Sequence, residues 1–115
     1  MREIRFRAWD IENKVMCDVS HIFIANMVIP QTIMVSVGSE MKHCPDDAIL
    51  MQFTGLLDRH GKEIWEGDIV NVPYNHIGKR EVKYTNGGFD IAAYKISECE
   101  VVGNIWEHPK LLKET

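Results

Sequence analysis

The 115 residues carry 13 Lys and Arg against 17 Asp and Glu, a net charge of −4, and 45% of them are hydrophobic. Such a chain is not wholly disordered and suits one domain, or two small β lobes, able to bury most of its apolar side chains. A grip on duplex DNA through many phosphates leaves a large basic excess that these totals lack, and no run reaches the ~18 apolar residues of a membrane-spanning helix.

The opening, Met1 to Asp10, is charged and has no apolar segment of the signal-peptide kind. Ile4, Phe6 and Ala8 alternate with Arg5 and Arg7, which predicts a first strand with one apolar and one basic face. Asp10 to Lys14 is a polar turn, and Val15 to Val19 its hairpin return. His21 to Ile29 and Thr32 to Val37 are apolar and rich in β-branched residues, and read as two strands broken at Pro30 and Gln31. A helix over His21 to Val28 is the competing reading, since period alone does not separate the two in short apolar runs. Gly38 to Ala48 gathers Gly, Ser, Pro, Cys44 and the adjacent acids Asp46 and Asp47, the composition of a loop. A soft boundary between lobes 1–47 and 48–115 is expected there.

From Leu50 to Val72 the chain packs two turn signals between strand-like runs. Met51 and Phe53 alternate with Gln52 and Thr54. Asp58, Arg59, His60 and Gly61 have the order of a type I turn closed by a left-handed residue, Asp accepting a backbone N–H and Gly supplying positive φ. Ile64 and Trp65 follow, with Trp65 read as the anchor, and Glu66, Gly67 and Asp68 turn the chain again. Ile69 to Val72, with Val70 and Val72 on one face, is a strand that Pro73 ends. The acidic excess falls in residues 37–72, where Glu40, Asp46, Asp47, Asp58, Glu63, Glu66 and Asp68 stand against Lys42, Arg59 and Lys62.

Beyond a loop from Pro73 to Gly78, Arg80 to Thr85 reads as a strand with Val82 and Tyr84 alternating with Lys83. Asn86, Gly87 and Gly88 signal a hairpin, because Asn and Gly reach positive φ at little cost, and Phe89 to Ala93 is the expected return. Cys99 to Ile105 makes the last strand, Gly103 marking a bulge or a close backbone approach. His108 to Leu112 reads as a short helical turn. Many short strands separated by turns predict an all-β fold, a sandwich or a small, partly open barrel.

Three stretches carry a resemblance: RFRAWD at Arg5 to Asp10, LMQFTGLLDRHGKEIWEGDIV at Leu50 to Val70, and EVVGNIWEHPKLL at Glu100 to Leu112. In order and spacing they are similar to the YopX family of small phage and prophage proteins. The resemblance implies a mainly β protein, a single domain over 1–115 whose C-terminal part is SH3-like, encoded by phages and working in the host cell interior. It implies no catalytic residues.

The residues themselves offer few chemical constellations. Cys17, Cys44 and Cys99 are an odd number with no C-x-x-C pair, which fits free thiols in a reducing compartment. His43 and Cys44, with Asp46 and Asp47, bring a base and a thiol together in sequence, yet neighbours on an extended backbone point apart. His21, His43, His60, His76 and His108 lack metal-ligand spacing, so no metal or cofactor is expected. Asp58, Glu63, Glu66 and Asp68 could be oxygen ligands or an acid/base pair, but they flank turns, where such side chains satisfy backbone donors. Arg5 and Arg7, and Lys79, Arg80 and Lys83 beside Tyr74 and Tyr84, form a candidate partner surface, or one for single-stranded nucleic acid. The expectation is a non-enzymatic protein that contacts a host or phage macromolecule, with self-association through a strand edge also open; the third reading is an enzyme of unrecognised type, which predicts a deep pocket lined by convergent polar groups.

Overall fold

The computed structural model describes residues 4–24, 33–37, 40–44, 47–85 and 87–112. The Pro30–Gln31 break, the end of the strand expected to reach Ile29, Asp46 and Asn86 lie outside them. The chain is mostly β and divides into two compact units, one Arg5–Gln52, the other running on from Phe53 and taking in Ile4.

In the first unit β1 (Phe6–Asp10) forms a hairpin with β2 (Val15–Asp18), as the alternation and the polar turn predict. The turn is built on Asp10. Its main-chain O accepts Lys14 N–H at 2.8 Å, and its carboxylate accepts the backbone and side-chain N–H of Asn13 at 3.2 and 2.9 Å. Lys14 takes φ 55°, which closes the turn. β3 (His21–Ile24), β4 (Ile33–Val37) and β5 (Glu40–Cys44) form an antiparallel sheet in that order. The described part of the helix-or-strand segment is therefore strand. The first half of β6 (Ala48–Leu57) pairs with β1, opposing Ala48 to Asp10 and Gln52 to Phe6.

β5 corrects the loop expected over Gly38 to Ala48. Its inward positions are Lys42 and Cys44, so the apolar–polar alternation that marks a strand is broken by a lysine in a core slot. Lys42 is buried opposite Val35, and its Nζ lies 3.7 Å from the buried Asp10 carboxylate and 3.2 Å from Glu40. A buried charge needs such partners, and here they come from β1 and from β5 itself. Ala8, Val35, Cys44 and Ala48 form the apolar core of this unit.

In the second unit the rest of β6 pairs with β7 (Glu63–Trp65) across the Asp58–Gly61 turn, with a register shift between Phe53 and Leu56. β8 (Asp68–Val72) is the centre of a three-stranded sheet, flanked by β9 (Gly78–Glu81) and β12 (Glu100–Asn104). β10 (Tyr84–Thr85) and β11 (Gly88–Phe89) make a two-residue hairpin with Gly87 at φ 84°. The core joins Ile64, Val70, Val72, Val82, Phe89, Ile91, Cys99 and Val101. Trp65 is only half-buried, its ring 5.3 Å from that of Phe53, so the anchor of the joint is its neighbour Ile64, wholly buried.

Two further expectations give way here. The strand from Arg80 to Thr85 is interrupted, because Val82 N–H bonds to Asp68 O and Val82 O accepts Gly67 N–H, both at 2.9 Å. Val82 is then buried while Tyr84 is exposed, so they do not share a face. Nor does the return strand reach Ala93. Asp90 exchanges bonds with Lys83, its N–H to Lys83 O at 2.9 Å and its carboxylate accepting Lys83 N–H at 3.0 Å, and a 3-10 turn over Asp90–Ala93 then buries Ile91.

Gly103 is both the bulge and the close approach. The β12–β8 register shifts between Val101 and Gly103, and a Cβ there would lie 2.7 Å from His108 Nδ1 and 2.9 Å from Leu111 Cδ1. The C-terminal 3-10 turn, Pro109–Leu112, folds back over it. Gly103→Ala is expected to lift this turn, seen as faster amide exchange at Leu111, whose N–H bonds to His108 O at 3.1 Å. Unchanged exchange would show that the turn tolerates a methyl there.

Candidate interaction surface

Two of the carboxylates around the central turns, Asp58 and Asp68, are committed to the backbone. Asp58 is 6% exposed. Its Oδ1 accepts His60 N–H at 2.8 Å and Lys62 N–H at 2.9 Å, and its Oδ2 accepts Val101 N–H, 43 residues away, at 2.9 Å. Burial pushes its pKa up, but the N–H groups of Val101, Lys62 and His60 outweigh that and hold the carboxyl below its ordinary value. Asp68 is also buried and accepts Trp65 N–H at 2.8 Å, closing the second turn with Gly67 at φ 86°. Glu63 and Glu66 are half-buried beside them.

The thiols and imidazoles are similarly placed. Burial raises the pKa of Cys17, Cys44 and Cys99, with nearby carboxylates adding to it, so none is disposed to be a thiolate. Cys44 points into the core while His43 is exposed, as consecutive residues of a strand must. His60 Nε2 lies 3.3 Å from Glu100 at the surface, and His108 Nδ1 accepts Asn104 N–H at 3.3 Å. Among the described residues no three His, Cys, Asp or Glu side chains gather to hold a metal ion.

The candidate cations fall into two sets. Arg5 and Arg7 belong to the first unit, where Arg7 is half-buried and opposes Asp18 and Met51. Tyr74, Lys79, Arg80 and Lys83 belong to the second. Tyr74 packs against the core there, and its hydroxyl accepts Lys95 N–H at 2.7 Å. Lys79 and Arg80 are consecutive on β9, at the edge of its sheet, and Lys83 is exposed just beyond. None of the three has an ion pair among the described residues. Tyr84, 52% exposed, stands edge-on to Phe89 with ring centroids 5.0 Å apart.

Sequence reasoning missed an open concavity of about 340 Å³ in the second unit, lined by Thr54, Gly55, Leu56, Gly88, Phe89 and Ala92. Thr54 Oγ1 is engaged at its wall, donating to Ile64 O at 2.6 Å and accepting Leu56 N–H at 3.1 Å. The lining is otherwise apolar and carries no titratable group, which suits an apolar side chain better than a reacting substrate. Gly55, at φ 84° in the irregular stretch of β6, was the one available hint.

A family model described as YopX protein matches residues 5–113. Protein EF1440 from Enterococcus faecalis, known from a crystal structure, is similar with a TM-score of 0.64 and 27% identity, over 97% of this chain and 99% of that one. A search of curated proteins returned no match.

Proposed function

The chain belongs to the YopX family, and from that premise we propose that it is a phage-encoded accessory protein that works inside the host cell by non-catalytic contact with another protein. The observation that carries this reading is the division of labour among its polar groups. The buried acids Asp10, Asp58 and Asp68 are engaged with backbone N–H groups, while the exposed features of the second unit are an apolar concavity and a basic strand edge. Such a surface offers shape and charge to a partner, and the lining of the concavity carries no titratable side chain. No helix of the described residues is long and apolar enough to cross a membrane.

The test is a photo-crosslinking residue in place of the exposed Leu57, in the full chain expressed beside its neighbouring phage genes. The expected result is one adduct of discrete mass, sensitive to protease and resistant to nuclease, that is absent when the same residue replaces Asn13. A nuclease-sensitive adduct would favour binding of single-stranded nucleic acid by Lys79, Arg80 and Lys83. Measured turnover of a substrate would overturn the reading altogether.

A further inference from the structure

Resting on that reading, we propose that the outer edge of β9 takes an extended acidic segment of a partner protein as an added strand. β9 is one edge of the sheet ordered β12, β8, β9. The opposite edge is closed, since Val101 N–H is held by Asp58 and Cys99 O by Arg59 N–H at 2.9 Å, and Gly103 bulges. These are the usual means of blunting a strand edge.

The ladder fixes which groups of β9 face outward. Val101 stands opposite Val70, and its N–H turns away from β8 to Asp58. In an antiparallel ladder the polar groups of Val70 therefore turn towards β9, where Val70 pairs with Arg80. Alternation then leaves the N–H and C=O of Lys79 and Glu81 facing outward. Among the described residues that row meets only the Arg80 guanidinium, 3.5 Å from Lys79 O, at the limit of a hydrogen bond. The C-terminal turn also lies against β9, where Gly103, Ile69 and Glu81 share a face, and among the described residues no hydrogen bond joins it to the outward groups of Lys79 and Glu81.

Charge selects the occupant. Lys79 and Arg80 project to opposite faces, so they flank an added strand on both sides, with Lys83 beyond its end. Acidic side chains on that strand meet cations that the described residues leave unneutralised, the favourable cross-strand pairing of opposite charges. A second copy joined antiparallel about Arg80 would set Arg80 against itself and Lys79 against Glu81, so an acidic segment is the occupant that offers carboxylates to both cations. Nucleic acid fits less well, since stacking needs open rings. Tyr74 packs against the core with its hydroxyl engaged, only Tyr84 of the two stands exposed, and the net charge is −4.

The probe is a fluorescein-labelled peptide of alternating Glu and Val, titrated with the full chain at low salt and followed by anisotropy. The expected result is saturable binding, protection of the Lys79 and Glu81 amides from exchange, and affinity lower by about tenfold or more in the K79E/R80E variant. The same peptide N-methylated along one edge should not bind, because strand addition needs its N–H groups. Equal binding of the methylated peptide would reduce the contact to unspecific charge and overturn the proposal, as would tighter binding of oligothymidine. No peptide binding with a persistent protein adduct at position 57 would overturn the edge assignment alone. Tighter oligothymidine binding with a nuclease-sensitive adduct would overturn the protein-contact reading as well.

Discussion

Asp58→Ala should lower the free energy of unfolding by about 2 to 4 kcal/mol, since it strips an acceptor from one buried and two part-buried backbone donors at once and a stranded buried donor costs roughly 1–3 kcal/mol, not additively. Two of those donors, His60 and Lys62, belong to the turn that the sequence predicts. The third, Val101, ties the turn to β12. Loss of this one carboxylate should therefore expose the Val101 amide to exchange as well as loosen the turn. Denaturant unfolding of the variant measures the cost, and a change below about 1 kcal/mol would mean that water replaces the carboxylate at little expense.

The same group sets the response to acid. Its folded pKa is depressed, so the unfolded state takes up its proton first as pH falls. The stabilisation is complete above the unfolded aspartate value of about 3.9 and is lost progressively as pH drops through the folded value. Asp10 acts in the same direction, its carboxyl lowered chiefly by the Asn13 side-chain and backbone bonds. Asp58→Asn should accordingly flatten the acid limb of the stability profile while lowering its plateau.

The second large effect belongs to Ile64. Ile64→Ala should cost about 3 kcal/mol, within the roughly 2–5 kcal/mol of large-to-small changes at fully enclosed positions. Its side chain sits among Val70, Val72, Val82, Phe89, Ile91, Cys99 and Val101, strands and turns that cannot readily collapse around a void. Trp65→Ala removes more atoms but from a half-buried site where the ring lies tilted against Phe53, and should cost only about 1–2 kcal/mol at the usual value per unit of apolar area. Thermal unfolding of the two variants side by side decides the order. A larger loss at Trp65 would restore it as the anchor.

Ile64 and Trp65 illustrate what local reading can reach. Both are large and apolar, and period two says only that they face opposite ways. Which face is enclosed depends on what packs against β7, and the sequence favours the bulkier residue for the wrong reason. The basic cluster at Lys79, Arg80 and Lys83 was legible as a cluster. That β9 ends a sheet, that Tyr74 is spent in the core, and that the apolar concavity exists at all depend on contacts between residues far apart in the chain.

Turns come from residues a few positions apart, and these the sequence determined by itself. Asp10, the Asp58 to Gly61 and Glu66 to Asp68 turns, the Gly87 and Gly88 hairpin and the Gly103 bulge all lie where their local chemistry puts them. Only the tertiary structure decided that Lys42 occupies a core slot, that the run past Glu81 breaks at Val82, and that Asp58 reaches Val101. In each of these a charge or a backbone group is satisfied by a partner distant in sequence, and no window along the chain contains both.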